Sequence, residues 1–276
     1  MPRPFWLESA AEEFWRAAGE VEPFPRNLEA PVLWALPLFI LKVPRLTLSD
    51  VRAKLADYDI AFGVGGPNRS LYGCLVAFAG KGVVMLDGSE APDELRFSLA
   101  HEVGHFIIDY LQPRIRAQRR LGPAIVDVLD GLRPPSKVER IDAVLSDVRI
   151  GVHTHLMDRT TSGAIGCGRI SGSEFRADRL AFELVAPEAA VLAEASRSSL
   201  ASTADDNVAA VRAVLVEVFG LPVASARQYA QFLGTVGQRR PSIRSWLGMD
   251  GGADDPGRAS RSNVSNFPAQ ARKELM

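Results

Sequence analysis

Arg96-Phe97-Ser98-Leu99-Ala100-His101-Glu102-Val103-Gly104-His105 is the stretch on which the reading of this chain turns. Two histidines four apart share one helix face, so two imidazole nitrogens can converge on a single Zn²⁺ ion. Glu102 between them is placed to polarise a water held there. The chain has only four histidines, and two of them are here. Leu95, Leu99, Val103, Phe106, Ile107 and Tyr110 recur at helical spacing, and Pro113 is expected to end the run. Asp87-Gly88-Ser89-Glu90-Ala91-Pro92 offers capping oxygens and a proline suited to a first turn. The pattern predicts an amphipathic helix of about five turns, buried along one side. Two surface histidines and a solvated glutamate are the alternative, but Gly104 would then weaken a helix interior without a packing reason.

A catalytic zinc site takes three protein ligands and keeps one position open. The third ligand is sought in Ser171-Gly172-Ser173-Glu174-Phe175-Arg176-Ala177-Asp178, where Glu174 and Asp178 project from one side of a second helix. One carboxylate can bind the metal while the other accepts the free ring N–H of a ligating histidine and fixes its tautomer. Ala177 and Ala181 are small and let the two helices approach closely. Ser171 and Glu174 also spell a capping box, which would turn Glu174 back toward its own helix start.

With these residues in view, Arg96–His105 resembles the "RFTLAHELGH" signature of ImmA/IrrE-type metallopeptidases. Glu174-Phe175-Arg176-Ala177-Asp178-Arg179-Leu180-Ala181-Phe182-Glu183-Leu184-Val185-Ala186-Pro187 is similar to that family's "ExxAxxFAxxLLxP" helix. The resemblance covers roughly residues 48 to 190. It implies His101, His105 and Glu174 as zinc ligands and Glu102 as general base. It also implies an α+β, zincin-like core with a small β-sheet, and a protein substrate such as a DNA-binding repressor. Two departures stand out: Leu180 replaces the family's usual phenylalanine, and residues 112–170 read as an insertion between the two halves of the site. Manganese or iron could fill a two-histidine, one-carboxylate site in place of zinc.

An oxyanion donor is also needed, and the candidates are Tyr110, His153 and His155. On a strand, His153 and His155 would share a face; two ordinary histidines on a loop or strand edge are the plainer reading. Leu71 to Asp87 reads as two strands joined near Gly80-Lys81-Gly82. Helices are expected over residues 5–19, from Thr47 or Ser49 to about Tyr58, and within the insertion at 124–132 and 138–148. Gly151–Ser173 reads as loop, and Gly63-Val64-Gly65-Gly66-Pro67-Asn68 as a surface turn rather than a phosphate loop.

The chain divides into an N-terminal helical and apolar segment (1–46), a metallopeptidase core (47–190), a C-terminal helical region (191–247) and a tail expected to be disordered (248–276). Asp205 to Leu233 suggests two helices joined at Gly220-Leu221-Pro222, too poor in basic side chains for DNA recognition and better suited to packing. Net charge is −1 with both signs scattered, so direct nucleic-acid binding is not expected. Pro113–Arg120 is the most concentrated basic run, either a solvated helix face or a surface that steers an acidic partner. Cys74 and Cys167 carry no metal-type spacing and read as reduced thiols; a redox role for Cys167, beside the proposed active-site helix, is the alternative. Pro31–Val43 is too short to span a bilayer, and no targeting signal is visible, so a cytoplasmic protein is expected. The leading expectation is a zinc endopeptidase. The alternatives are a non-proteolytic metal-binding regulator and a DNA-binding regulator that uses the C-terminal helices.

Overall fold

The apolar stretch Leu71–Asp87 reverses at Ala79-Gly80, where φ is 49° and 79°. Positive φ at both central residues gives the twist that a two-residue hairpin needs. The computed structural model describes residues 4–19, 21–57, 66–145, 148, 150–158, 168–198 and 204–237. In it the hairpin is the centre of a four-stranded mixed sheet within an α+β fold. In chain order come α1 (Phe5–Ala18), α2 (Glu29–Ala35), β1 (Leu38–Val43), α3 (Leu48–Ala56), β2 (Leu71–Phe78), β3 (Lys81–Asp87) and α4 (Pro92–His105). A π-helical segment (Phe106–Leu111) leads into α5 (Gln112–Leu121), α6 (Ile125–Leu129), α7 (Lys137–Leu145) and β4 (His153–Asp158). The remainder is helical: α8 (Gly168–Val185), α9 (Glu188–Ser198), α10 (Ala204–Glu217) and α11 (Val223–Gly237).

The sheet order is β1-β3-β2-β4, with β1 parallel to β3 and the other pairs antiparallel. Both outer strands are additions to the two the sequence announces. β1 is the second half of the apolar run Pro31–Val43, whose first half is α2. β4 lies inside the stretch expected to be loop, because His153-Thr154-His155 lacks apolar alternation. Pairing with β2 (Leu75 opposite His155, Val76 opposite Thr154) makes it a strand.

One sheet face meets a core running from Leu7 and Phe14 of α1 through Leu99 and Val103 of α4 to Leu180 and Leu184 of α8. Leu215 of α10 and Tyr229 of α11 belong to the same core, and Tyr229 stacks on Phe182 at 4.2 Å. On the other face Val51 and Leu55 of α3 cover Leu71, Cys74, Val76 and Met85. Thr47 caps α3 in a reciprocal box with Asp50.

Three local expectations are corrected. Asp87 and Ser89 do not cap α4, whose N-cap is Ala91 with Pro92 at the first helical position. The Asp87 carboxylate instead accepts from the backbone N–H of Arg45 and of Ser89. Pro113 does not stop the helix. Gln112 N–H donates five residues back to Ile107, and the chain enters a new first turn in which proline's missing N–H costs little. Finally, α8 begins at Gly168, so Glu174 lies inside it and not at a capping position. Gly63–Gly65, Cys167 and the tail from 248 lie outside the described residues. No helix among the described residues is long and apolar enough to cross a membrane.

What positions the site is the crossing of α4 with α8. A methyl group placed on Gly104 would sit 2.8 Å from the backbone oxygen of Ala177 and 3.1 Å from its Cα. These are backbone atoms and cannot swing aside. Gly104→Ala should therefore destabilise the protein by about 1–3 kcal/mol through overpacking, despite alanine's better helix propensity of about 1 kcal/mol. A chemical-denaturation midpoint equal to or above that of the wild type would contradict this account of the crossing.

Candidate metal centre

Because Gly104 and Ala177 let α4 and α8 touch, the side chains three residues before and one residue after each contact position face each other across it. His101 and His105 come from α4, and Glu174 and Asp178 from α8. His101 and His105 are buried, while Glu174 is about one-third exposed. The two Nε2 atoms lie 3.1 Å apart, and Glu174 Oε2 is 3.3 Å from one and 3.5 Å from the other. Ligands about 2.0–2.2 Å from a tetrahedral ion are separated by about 3.3–3.6 Å. The three atoms therefore form one face of such a coordination sphere.

The outer ring nitrogens support the same assignment. His101 Nδ1 lies 2.9 Å from Asp178 Oδ1, and His105 Nδ1 lies 2.7 Å from Asp109 Oδ2. With each Nδ1–H donated to a carboxylate, both Nε2 lone pairs point into the space between them. Only a proton or a cation relieves that opposition. Asp178 thus stands where the expected orienting bond to a histidine would be made. Asp109 stands in the same relation to His105 unannounced, although its position four residues after His105 was a readable signal. Its carboxylate also accepts a short bond from Ser173 Oγ at 2.5 Å.

β4 brings in His155, against the plainer reading of an ordinary strand-edge histidine. Its Nδ1 is 2.9 Å from Glu102 Oε2 and its Nε2 is 3.1 Å from Glu174 Oε1. His101, His105, His155 and Glu174 offer four ligand atoms within 4.8 Å of one another, so the cluster could hold a metal ion. The other two oxyanion candidates stand apart. Tyr110 accepts the backbone N–H of Gly80 through its hydroxyl at 2.7 Å, and His153 lies against its ring at 6.1 Å. Strand geometry explains the split, since two residues on one face are separated by about 7 Å.

Glu102 is fully buried, and its Oε1 has no hydrogen-bond partner among the described residues. Gly73 of β2 makes room for this carboxylate, because a Cβ there would come within 3.2 Å of Oε1. A buried acceptor left open beside a ring of ligand atoms fits a site completed by a cation and its water.

Charge at the site is out of balance without a cation. Burial alone would lower His101, but its bonds to Asp178 and Glu174 outweigh that and hold it at about 9. Burial would likewise lower His155, yet the Glu102 charge and the bonds to Glu102 and Glu174 raise it to about 10. Burial works to raise Glu174, but hydrogen bonds from His101, His105 and His155 hold its carboxyl far below the usual range. Four carboxylates, counting Glu102 and Asp109, thus surround three imidazoles.

No family model, curated protein or solved structure matches the chain.

Two outcomes follow from the geometry. Wild-type protein should carry one zinc per chain by elemental mass spectrometry, Glu174→Ala should abolish it, and Asp109→Asn should weaken zinc binding about 10- to 100-fold. Full zinc retention by both variants would dissolve the proposed ligand triangle. The second concerns pH. His101 and His155 have folded-state values above the 6.5 of a free histidine, so their contribution to stability is complete below pH 6.5 and is lost as pH rises through about 9 to 10. Urea midpoints of chelator-treated protein should therefore fall across that window. His155→Gln should flatten the fall; an unchanged slope in that variant would assign the dependence elsewhere.

Proposed function

We propose that this protein is a zinc-dependent endopeptidase with a zincin-like core. The observation that carries the reading is the open Oε1 of buried Glu102 beside the triangle of His101, His105 and Glu174. A zinc ion held there would polarise the scissile carbonyl and lower the pKa of water to about 7. Glu102 Oε1 accepts the proton of the attacking water and returns it to the leaving amine. His155 Nδ1 holds the other oxygen, Oε2, so the carboxylate presents a single fixed acceptor. His155 Nε2 is the nitrogen beside the triangle best placed to donate to the carbonyl oxygen as it gains charge.

The resemblance of both motifs to ImmA/IrrE-type enzymes suggests a regulatory protein as substrate, a transcriptional repressor among the candidates, and a cytoplasmic setting. Helices α5 to α7 and β4 all fall within the long spacer, which supports a role for that spacer in choosing the substrate.

A second reading rests on His155 itself. If its Nε2 served as a fourth ligand, the sphere would be closed, as in structural sites, and the protein would be a non-proteolytic metal-binding regulator. Glu102→Gln and His155→Gln separate the two readings when assayed with a quenched-fluorescent casein substrate. Glu102→Gln should keep one zinc and lose at least about 10²-fold in kcat. His155→Gln should keep the zinc and turn over more slowly. Wild-type protein that holds one zinc without cleaving casein or any repressor offered, together with zinc loss in His155→Gln, would put the regulator first.

A further inference from the structure

The basic run Pro113–Arg120 is resolved by the structure into two kinds of arginine. Arg114 is buried and pairs with both oxygens of Asp130, at 2.6 and 3.0 Å. Arg120 pairs with Asp142 at 2.6 Å. Arg116 and Arg119 are exposed on the same helix and have no ion pair or hydrogen bond among the described residues.

A third guanidinium joins them from α8. Arg176 reaches Asp109 Oδ1 at only 3.4 Å, and that carboxylate is already committed to His105 and Ser173. Arg116 follows Asp109 by about two turns on the same unbroken helical run, which brings it toward Arg176, and partial desolvation together with the charge of Arg176 lowers its pKa. Only Arg176 of the three has an acid among the described residues, so the excess positive charge fits a surface whose counter-charge arrives with a partner. The cluster also borders the metal centre. One carboxylate, Asp109, separates Arg176 from His105 of the ligand triangle. A few residues of extended peptide cover that span at about 3.3 Å each.

We infer that Arg116, Arg119 and Arg176 form an anion-reading subsite that selects substrates carrying acidic side chains a few residues from the bond to be cut. The inference rests on the peptidase reading and narrows it to a substrate class. Arginine suits the task because its planar fork takes a carboxylate through two parallel bonds. Arg176 also touches the carboxylate that orients His105, so the charge-reversal test belongs on α5.

Binding can be measured without turnover, on full-length, zinc-loaded protein carrying Glu102→Gln. Fluorescence anisotropy would compare a labelled glutamate-rich peptide with its glutamine counterpart and with duplex DNA. The acidic peptide should bind at least about 10-fold more tightly than the neutral one, with the advantage shrinking as salt is raised. Adding Arg116→Glu and Arg119→Glu should cut that preference to below about 2-fold while zinc content stays at one. The milder Arg116→Gln, Arg119→Gln pair should give an intermediate loss and guards against misfolding of the reversed variant. Equal binding of the two peptides by the parent protein would overturn the inference, as would a preference that survives both double variants. Tighter binding of DNA than of the acidic peptide would assign the cluster to nucleic acid. None of these results depends on whether casein is cleaved, so the subsite and the peptidase reading fail separately.

Discussion

The backbone contact between Gly104 and Ala177 is the constraint on which the rest of the molecule depends. Helices usually pack with axes 8–10 Å apart, the distance being set by the side chains between them. With glycine against alanine, that separator is nearly gone. The candidate ligands within a turn of the contact on each helix then meet around a common point rather than across a layer of side chains. The sheet makes the same concession at Gly73, where the missing side chain is the space taken by Glu102. The centre is thus defined as much by what two positions lack as by what four others supply.

Such a centre is expensive to fold. Burying ionised carboxylates and imidazoles forfeits hydration, and the loss is recovered only where every charge has a well-placed partner. Here the partners are arranged in a ring: Asp178 on His101, Asp109 on His105, and Glu102 and Glu174 on the two nitrogens of His155. The ring fixes each imidazole's rotation before any ion arrives, and such pre-organisation raises metal affinity. A divalent cation bound there would compete with protons for the same imidazole nitrogens, which would tie metal binding to pH. Cys74, buried under α3, has its thiol pushed well up by burial and by the Glu102 charge, so it stays protonated and plays no part in that competition.

Legibility in the sequence followed the range of each interaction. The spacing of His101, Glu102 and His105 states a helix face directly, and two apolar runs between Leu71 and Asp87, joined near Gly80-Lys81-Gly82, state a hairpin. The two tight-packing residues, Gly104 and Ala177, were readable because small residues in helix interiors need a reason. His155 was not readable as part of the site. Its place depends on β4 pairing with β2 in one register, and its partner Glu102 is 53 residues away. A strand with polar residues at its start shows no periodicity, and its existence is decided by the neighbour it joins. Pro113 misled for a related reason: proline forbids a continuing α-helical hydrogen bond at its own nitrogen, but a π turn just before it resets the count.

That reset links the centre to the surface beyond it. Asp109 lies in the π-helical segment, where π geometry is often found at functional sites. From there its two oxygens serve opposite sides, one holding His105 toward the metal cluster and the other meeting Arg176 at the rim. Immediately after the segment the chain enters α5, which carries Arg116 and Arg119. Whatever draws Arg176 outward also reduces the positive charge beside Asp109 and leaves that carboxylate more fully to the histidine. A more negative Asp109 makes the His105 ring a stronger donor to a metal. On the proposed reading, an anionic substrate at the arginines would thus be coupled through one carboxylate to the basicity of His105, with no change of fold required.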